Sequence, residues 1–225
     1  MFKRMINIAI DGPAGAGKST LARSAAKALG YVYVDTGALY RTVALYVLRH
    51  GHSVHNPERV KAALADIRIE LRFVSGVQRV YLNGQDVSEE IRTPEVSMGA
   101  SAVAVLPCVR EFLFEQQKRI AREKDCIMDG RDIGTVVLPD AQVKIFLTAS
   151  AEERARRRYE ELAGKGEDVR FEDVLRDVQE RDYKDSHRAV APLRQAEDAL
   201  LLDTTGLTLE ESIDRLIQLI KERLG

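Results

Sequence analysis

Charge of one sign is in short supply in this chain. Its 225 residues carry 34 Lys and Arg against 35 Asp and Glu, a formal net charge of −1. No global attraction to nucleic acid or to a membrane surface is therefore expected. Cysteine is scarce too: Cys108 and Cys126 are the only two. They show no metal-ligand spacing and are too few for a disulfide framework, so both are expected as reduced core thiols of a cytoplasmic protein. No apolar run approaches membrane-spanning length. Met1-Phe2-Lys3-Arg4 is expected to lead directly into a strand, with no signal peptide. Internal repeats and low-complexity tracts are missing. What remains is a globular composition, 45% hydrophobic and 31% charged, in a length that suits one α/β domain with an insertion.

The strongest positive signal is Gly12-Pro13-Ala14-Gly15-Ala16-Gly17-Lys18-Ser19-Thr20, which fits the P-loop pattern. Ile6 to Ile10 before it reads as a buried strand, and Leu21 to Leu29 after it as a helix. That context gives the motif its physics. Glycines let backbone N–H groups turn inward, and the helix N-terminus adds its positive dipole end. Lys18 is placed to reach the β- and γ-phosphates of a nucleotide, and the Ser19 hydroxyl to ligate Mg²⁺.

Further apolar runs follow at Tyr31–Val34, Cys126–Met128, Gln142–Leu147 and Ala199–Asp203, with helical segments between them. The fold class expected is α/β: a five-stranded parallel P-loop sheet flanked by helices, with ligands at the carboxyl ends of its strands. Asp35-Thr36-Gly37 opens a helix with an N-cap signal. Ile67 to Phe73 alternates apolar and polar, Ser75-Gly76 reads as a turn, and Gln78 to Leu82 alternates again. Asn83-Gly84 then signals a hairpin, and Gln85-Asp86-Val87 begins a third strand. Residues of about 66–96 thus read as a small inserted antiparallel β subdomain. The core is 1–65, 97–150 and 167–225, and the Arg-rich segment of about 151–166, with Gly164-Lys165-Gly166 at its tip, is a short lid. Thr93 to Ala104 holds small and polar residues, and no element is assigned to it. Val109 to Glu123 has helical periodicity. In the last helix Thr208 and Glu211 read as a capping box.

Asp129 ends a central strand, where a carboxylate can hold the hydration shell of Mg²⁺. Besides Lys18, five arginines lie in segments assigned to the ligand edge: Arg41, Arg110, Arg131, Arg181 and Arg188. An ATPase binds one triphosphate, whereas these cations suffice for a second phosphate group. Transfer of a phosphoryl group to a phosphate acceptor must align two polyanions and offset their repulsion, which bidentate guanidinium groups do well. No conventional nucleophile or general base stands beside the P-loop, and an ionised phosphate acceptor needs none. Two alternatives differ. One is a kinase for another small acceptor such as UMP, AMP or shikimate. The other is a nucleotide-binding switch, disfavoured by the surplus arginines and the lack of an Asn-Lys-x-Asp type stretch.

Asp11 through Thr20, Asp35-Thr36-Gly37-Ala38-Leu39-Tyr40-Arg41, Asp129-Gly130-Arg131-Asp132, and Arg181-Asp182 through Asp185 to Arg188 together resemble the bacterial cytidylate kinases, over essentially the whole chain. That resemblance implies transfer of the ATP γ-phosphate to CMP or dCMP with Mg²⁺, in pyrimidine nucleotide metabolism. It implies that Thr36, Tyr40 and Arg41 line the monophosphate site, with Arg41 and Arg131 on its phosphate. Ser101, Arg110 and Asp132 are implied at the cytosine, and Arg181, Asp185 and Arg188 at the sugar. Many relatives carry Ser where Thr36 stands, and the hydroxyl is kept. Arg154 to Arg158 looks like the lid over the ATP phosphates, with Arg157 joining Lys18 and Arg131 as the catalytic candidates. The partners expected are ATP and CMP or dCMP, with no nucleic acid and no membrane, and the chain is read as a monomer.

Overall fold

The computed structural model describes residues 5–74 and 77–225. The expected path of Met1–Arg4 and the Ser75-Gly76 turn lie outside the described residues. Among the described residues eight strands follow in chain order: β1 Asn7–Asp11, β2 Val32–Asp35, β3 Ile69–Val74, β4 Val77–Leu82, β5 Gln85–Asp86, β6 Cys126–Gly130, β7 Val143–Thr148 and β8 Leu200–Asp203. The helices are α1 Lys18–Leu29, α2 Thr36–Arg49, α3 Pro57–Ala63, α4 Pro94–Val103, α5 Pro107–Glu123, α6 Ala151–Gly164, α7 Phe171–His187 and α8 Leu209–Leu224. One sheet is five-stranded in the order β2-β6-β1-β7-β8, and β3-β4-β5 form a second. The expected architecture, a parallel sheet with helices and a small antiparallel sheet, is the one observed. Among the described residues no single helix is long and apolar enough to cross a membrane.

The chain divides into two units. The first to consider holds Ile6–Gly30 and Ile127–Gly225. Its centre is β1, which pairs in parallel with β7 from Ile8↔Val143 to Asp11↔Phe146, and β7 pairs in parallel with β8. Strands covered on both faces must be apolar on both, and Ile8, Ile10, Ile127, Met128, Ile145 and Leu147 are all fully buried. Helix α8 opens with the expected capping box between Thr208 and Glu211, and it packs Leu216 and Ile220 inward.

The other unit holds Met5 and Tyr31–Cys126. Its core gathers Leu39, Val43 and Val47 of α2, Val96 and Val103 of α4, Val109 and Leu113 of α5, and Val80 and Leu82 of β4. Strands β3 and β4 pair antiparallel, from Ile69↔Leu82 to Val74↔Val77. The stretch left unassigned above is helix α4. Thr93 is its N-cap, accepting from the Val96 N–H, and Pro94 is its first residue, where a missing N–H costs nothing. Neither cysteine is part of a disulfide. Burial pushes the Cys126 thiol up to about 12, which leaves it unreactive at neutral pH.

Candidate active site

In the unit built on β1, the P-loop runs from the end of that strand into α1. Gly12 cannot be replaced without moving the backbone, because a Cβ there would lie 1.9 Å from the Leu147 carbonyl oxygen. Gly17 caps α1 at φ 84°, a left-handed conformation that costs glycine little. Lys18, on the first turn, is buried and donates from Nζ to the Pro13 carbonyl at 2.6 Å. Burial and the repulsion of Arg131 hold its ammonium pKa well below the usual lysine value, against the attraction of Asp129, Asp11 and Asp185. The same interactions place the Arg131–Asp185 pair close to the P-loop lysine.

Beside it, Ser19 Oγ donates to Asp129 Oδ2 at 2.8 Å. A hydroxyl and a carboxylate are the hard oxygen donors that Mg²⁺ accepts when nucleotide phosphates and water complete its shell. Among the described residues no group of three or more His, Cys, Asp or Glu forms a metal cluster of its own. The donor set thus fits a nucleotide-borne cation better than a resident one.

Past β6 the chain turns sharply. Asp11, the last residue of β1, accepts from the Ile133 N–H at 2.8 Å and the Gly134 N–H at 2.7 Å, at the start of a π-helical turn over Ile133–Val137. Burial raises the Asp11 carboxyl from 3.8 to about 6, although the two backbone donors oppose the rise. This anchor fixes the loop carrying Arg131 and Asp132. Arg131 Nε donates to Asp185 Oδ2 at 2.8 Å, and Arg188 Nη2 approaches Asp132 Oδ1 at 3.5 Å. Asp185 lies near the end of α7, and Arg188 caps it. Arg181 is one turn before Asp185 on the same helix.

The arginines of α6 differ in kind. Arg157 donates to the Thr204 carbonyl at 3.1 Å and to Glu153 at 3.2 Å, and a Cβ on Gly17 would lie 4.0 Å from its Nη1. It therefore stands next to the P-loop. Arg158 pairs with Glu161 on the exposed face. Arg154 is only 4% exposed, and it ties the Ala14 carbonyl of the P-loop to Asp182 of α7 through bonds of 3.0 and 2.5 Å. The Arg154–Arg158 run is thus not uniformly a solvent-facing lid: its first member is a structural clamp.

In the unit holding α2, Asp35 caps the helix. Its Oδ1 accepts from the Ala38 N–H at 3.0 Å, and its Oδ2 accepts from Arg41 Nη2 at 2.7 Å. Thr36 begins the helix and is buried. The Arg110 guanidinium lies 6.0 Å from the Tyr40 ring centre and donates to the Ala104 carbonyl at 3.4 Å. Ser101 is exposed on α4. The structure therefore groups Tyr40, Arg41 and Arg110 around α2. In its own unit it groups the P-loop with Asp129, Arg131, Asp132, Asp185 and Arg188. Five residues do work that the sequence did not announce: Asp11, Asp35 as the holder of Arg41, Gln78, and Arg154 paired with Asp182. A signal existed for Gln78, because alternation along β4 puts it on the same face as Val80 and Leu82, which is an odd place for an amide.

Comparison with known proteins bears on this arrangement. The family model for cytidylate kinase matches residues 8–222. The cytidylate kinase of Caldanaerobacter subterraneus subsp. tengcongensis is 52% identical over 224 residues, covering 99% of this chain and 97% of that one. The cytidylate kinase of Caldicellulosiruptor bescii is 51% identical, covering 96% of each chain. Among solved structures, an uncharacterized protein from Eubacterium ventriosum matches with a TM-score of 0.53 at 12% identity, over 96% of this chain and 99% of that one. This last likeness concerns the fold alone.

Proposed function

The chain belongs to the cytidylate kinase family, and from that membership we infer that it transfers the γ-phosphate of ATP to CMP or dCMP, giving ADP and CDP or dCDP. It is a nucleoside monophosphate kinase serving pyrimidine nucleotide metabolism. The observation that carries this reading is a cation set larger than one triphosphate needs, held in fixed orientation. Arg131 is oriented by Asp185 next to the P-loop lysine, and Arg188 faces Asp132. Guanidinium groups locked by carboxylates present their remaining N–H donors at little entropic cost, which favours a second anionic group.

Gly12, Pro13, Ala14, Gly15, Ala16, Gly17, Lys18, Ser19 and Thr20 hold the ATP phosphates in this reading. Lys18, Arg131 and Arg157 are the catalytic residues. Their role is to stabilise charge on the transferring group, since the acceptor phosphate arrives ionised and no base is required. Thr36, Tyr40, Arg41, Ser101, Arg110, Arg131, Asp132, Arg181, Asp185 and Arg188 are the acceptor contacts in this reading. Ser19, and Asp129 through water, hold Mg²⁺, which supplies charge neutralisation on the phosphate oxygens when bound. Residues of about 66–96 are the acceptor-binding insert, residues of about 151–166 the lid, and the remainder the core of a single kinase domain. The protein works as a monomer in the cytoplasm, away from membranes and nucleic acid.

Coupled ADP release with each nucleoside monophosphate in turn tests the reading. CMP and dCMP are expected to accelerate ADP formation far above the rate with ATP alone, and UMP and AMP to do so much less. ADP release that is slow and indifferent to CMP overturns the kinase reading in favour of a nucleotide switch.

A further inference from the structure

We propose that Gln78 is a positioning residue for anion recognition by Arg41, acting through the backbone of Asp35. This rests on the kinase reading above and names a residue of the insert that governs the acceptor's phosphate monoester. The carboxamide of Gln78 grips both sides of the Asp35 residue. Its Oε1 accepts from the Asp35 N–H at 3.0 Å, and its Nε2 donates to the Asp35 carbonyl at 3.4 Å. Asp35 in turn fixes Arg41 through its carboxylate.

Three observations make this more than a packing contact. First, the register of β4 places Gln78 in line with Val80 and Leu82, which are core residues at 2% and 3% exposure. An amide at the end of such a row requires partners, and the Asp35 peptide groups supply an acceptor and a donor. Second, Arg41 Nε is buried and has no hydrogen-bond partner. A buried unsatisfied guanidinium N–H is costly, and an anionic oxygen is the partner that removes the cost best. Third, the guanidinium folds back over Gly37, where an added Cβ would meet Arg41 Nη1 at 3.1 Å and Asp35 Oδ1 at 3.2 Å. The bare glycine leaves room for a set geometry, and Gln78 holds the turn that sets it.

A double-mutant cycle tests this. Wild-type turnover of CMP is measured first, since its absence would sink the kinase reading and not the role of Gln78. Gln78→Leu keeps the row apolar and removes both hydrogen bonds. It is expected to raise the KM for CMP roughly tenfold, with the KM for ATP unchanged. In an Arg41→Ala background the same substitution is expected to change nothing further, because a residue that works through Arg41 has no effect without it. Gln78→Glu keeps the acceptor and loses the donor, and its effect is expected to be intermediate. It also serves as the variant of record if Gln78→Leu lowers the melting temperature. Additive losses in the double variant, a KM for ATP that rises in step with that for CMP, or an unchanged KM for CMP in a folded Gln78 variant each overturn the proposal.

Discussion

The two units hold their charges in opposite ways. In the P-loop unit, Asp11, Lys18 and Arg154 are each no more than 5% exposed, and each is held by main-chain groups. Asp11 takes two main-chain N–H groups, Lys18 gives to a main-chain carbonyl, and Arg154 gives to two. In the other unit, the Arg41–Asp35 pair keeps side-chain exposures of 20% and 12%, and it is held by a helix cap and by an amide from a hairpin. A phosphate loop built from main chain is set once the strand, the glycines and the helix are in register. A site built from side chains depends on the residues behind it. The difference teaches where substitutions act: in the first unit they change chemistry or folding, and in the second they change aim.

The largest effect is expected at Lys18. Lys18→Ala removes the cation proposed to meet charge developing on the transferring group, while Gly12 and Gly17 keep the loop in shape. A fall in kcat on the order of 10²–10³ is expected, by analogy with loss of one preorganised donor at a developing charge. Steady-state kinetics at saturating ATP and CMP, with circular dichroism to confirm the fold, measure it. An unchanged kcat removes the P-loop lysine from the mechanism and breaks the contrast between the units at its strongest point.

That contrast also explains what could be read from sequence. The P-loop was legible because its pattern encodes backbone geometry: glycines at fixed spacing, a strand before them and a helix after. The apolar runs of β1, β6 and β7 were legible because burial on both faces confines polar residues almost entirely to the strand ends, Lys144 of β7 being the interior exception. Helix α4 was passed over because Ser97, Gly99 and Ser101 dilute its apolar face, although Thr93-Pro94 carried a usable start signal. The π-helical turn at Ile133–Val137 carries no start or stop signal in the sequence. What turns the chain there is Asp11, 122 residues away in sequence, and no local pattern announces that. Arg154 looked like its neighbours in a basic run. Only the packing of α6 separates the buried clamp from Arg158 on the exposed face.

A second prediction concerns Asp11 and has an intermediate effect. Its carboxyl is raised from 3.8 to about 6 by burial, so the folded state binds its proton more tightly than the unfolded chain does. Stability from this group is therefore fullest below about pH 4 and is lost as pH rises through about 6. At about 1.4 kcal/mol per pKa unit, the whole change is roughly 3 kcal/mol. Asp11→Asn removes the titration and leaves an amide that accepts from one backbone N–H but not from both. Urea midpoints from pH 4 to pH 7 are expected to give a variant-minus-wild-type difference that moves in favour of the variant as pH rises, by up to that amount. A difference that stays flat across this range shows that Asp11 does not titrate there, and its two backbone bonds then outweigh its burial.

The smallest expected effect on stability comes from the same change in the other unit, Asp35→Asn. Asn caps a helix about as well as Asp, so the bond to the Ala38 N–H survives with the amide oxygen turned towards it. The amide nitrogen then faces Arg41 Nη2, donor against donor, and the guanidinium loses its anchor. Because the pair is partly exposed, the cost to folding is expected to stay below about 1 kcal/mol. Aim suffers instead: the KM for CMP is expected to rise severalfold, while kcat at saturating CMP changes little. Calorimetric melting beside steady-state kinetics separates the two readouts. If the melting temperature of Asp35→Asn drops as far as that of a core truncation, with the KM for CMP unmoved, the α2 carboxylate is a fold-holding charge like those of the P-loop unit. The two units would then follow one rule, and Arg41 would need no aiming by the residues behind it.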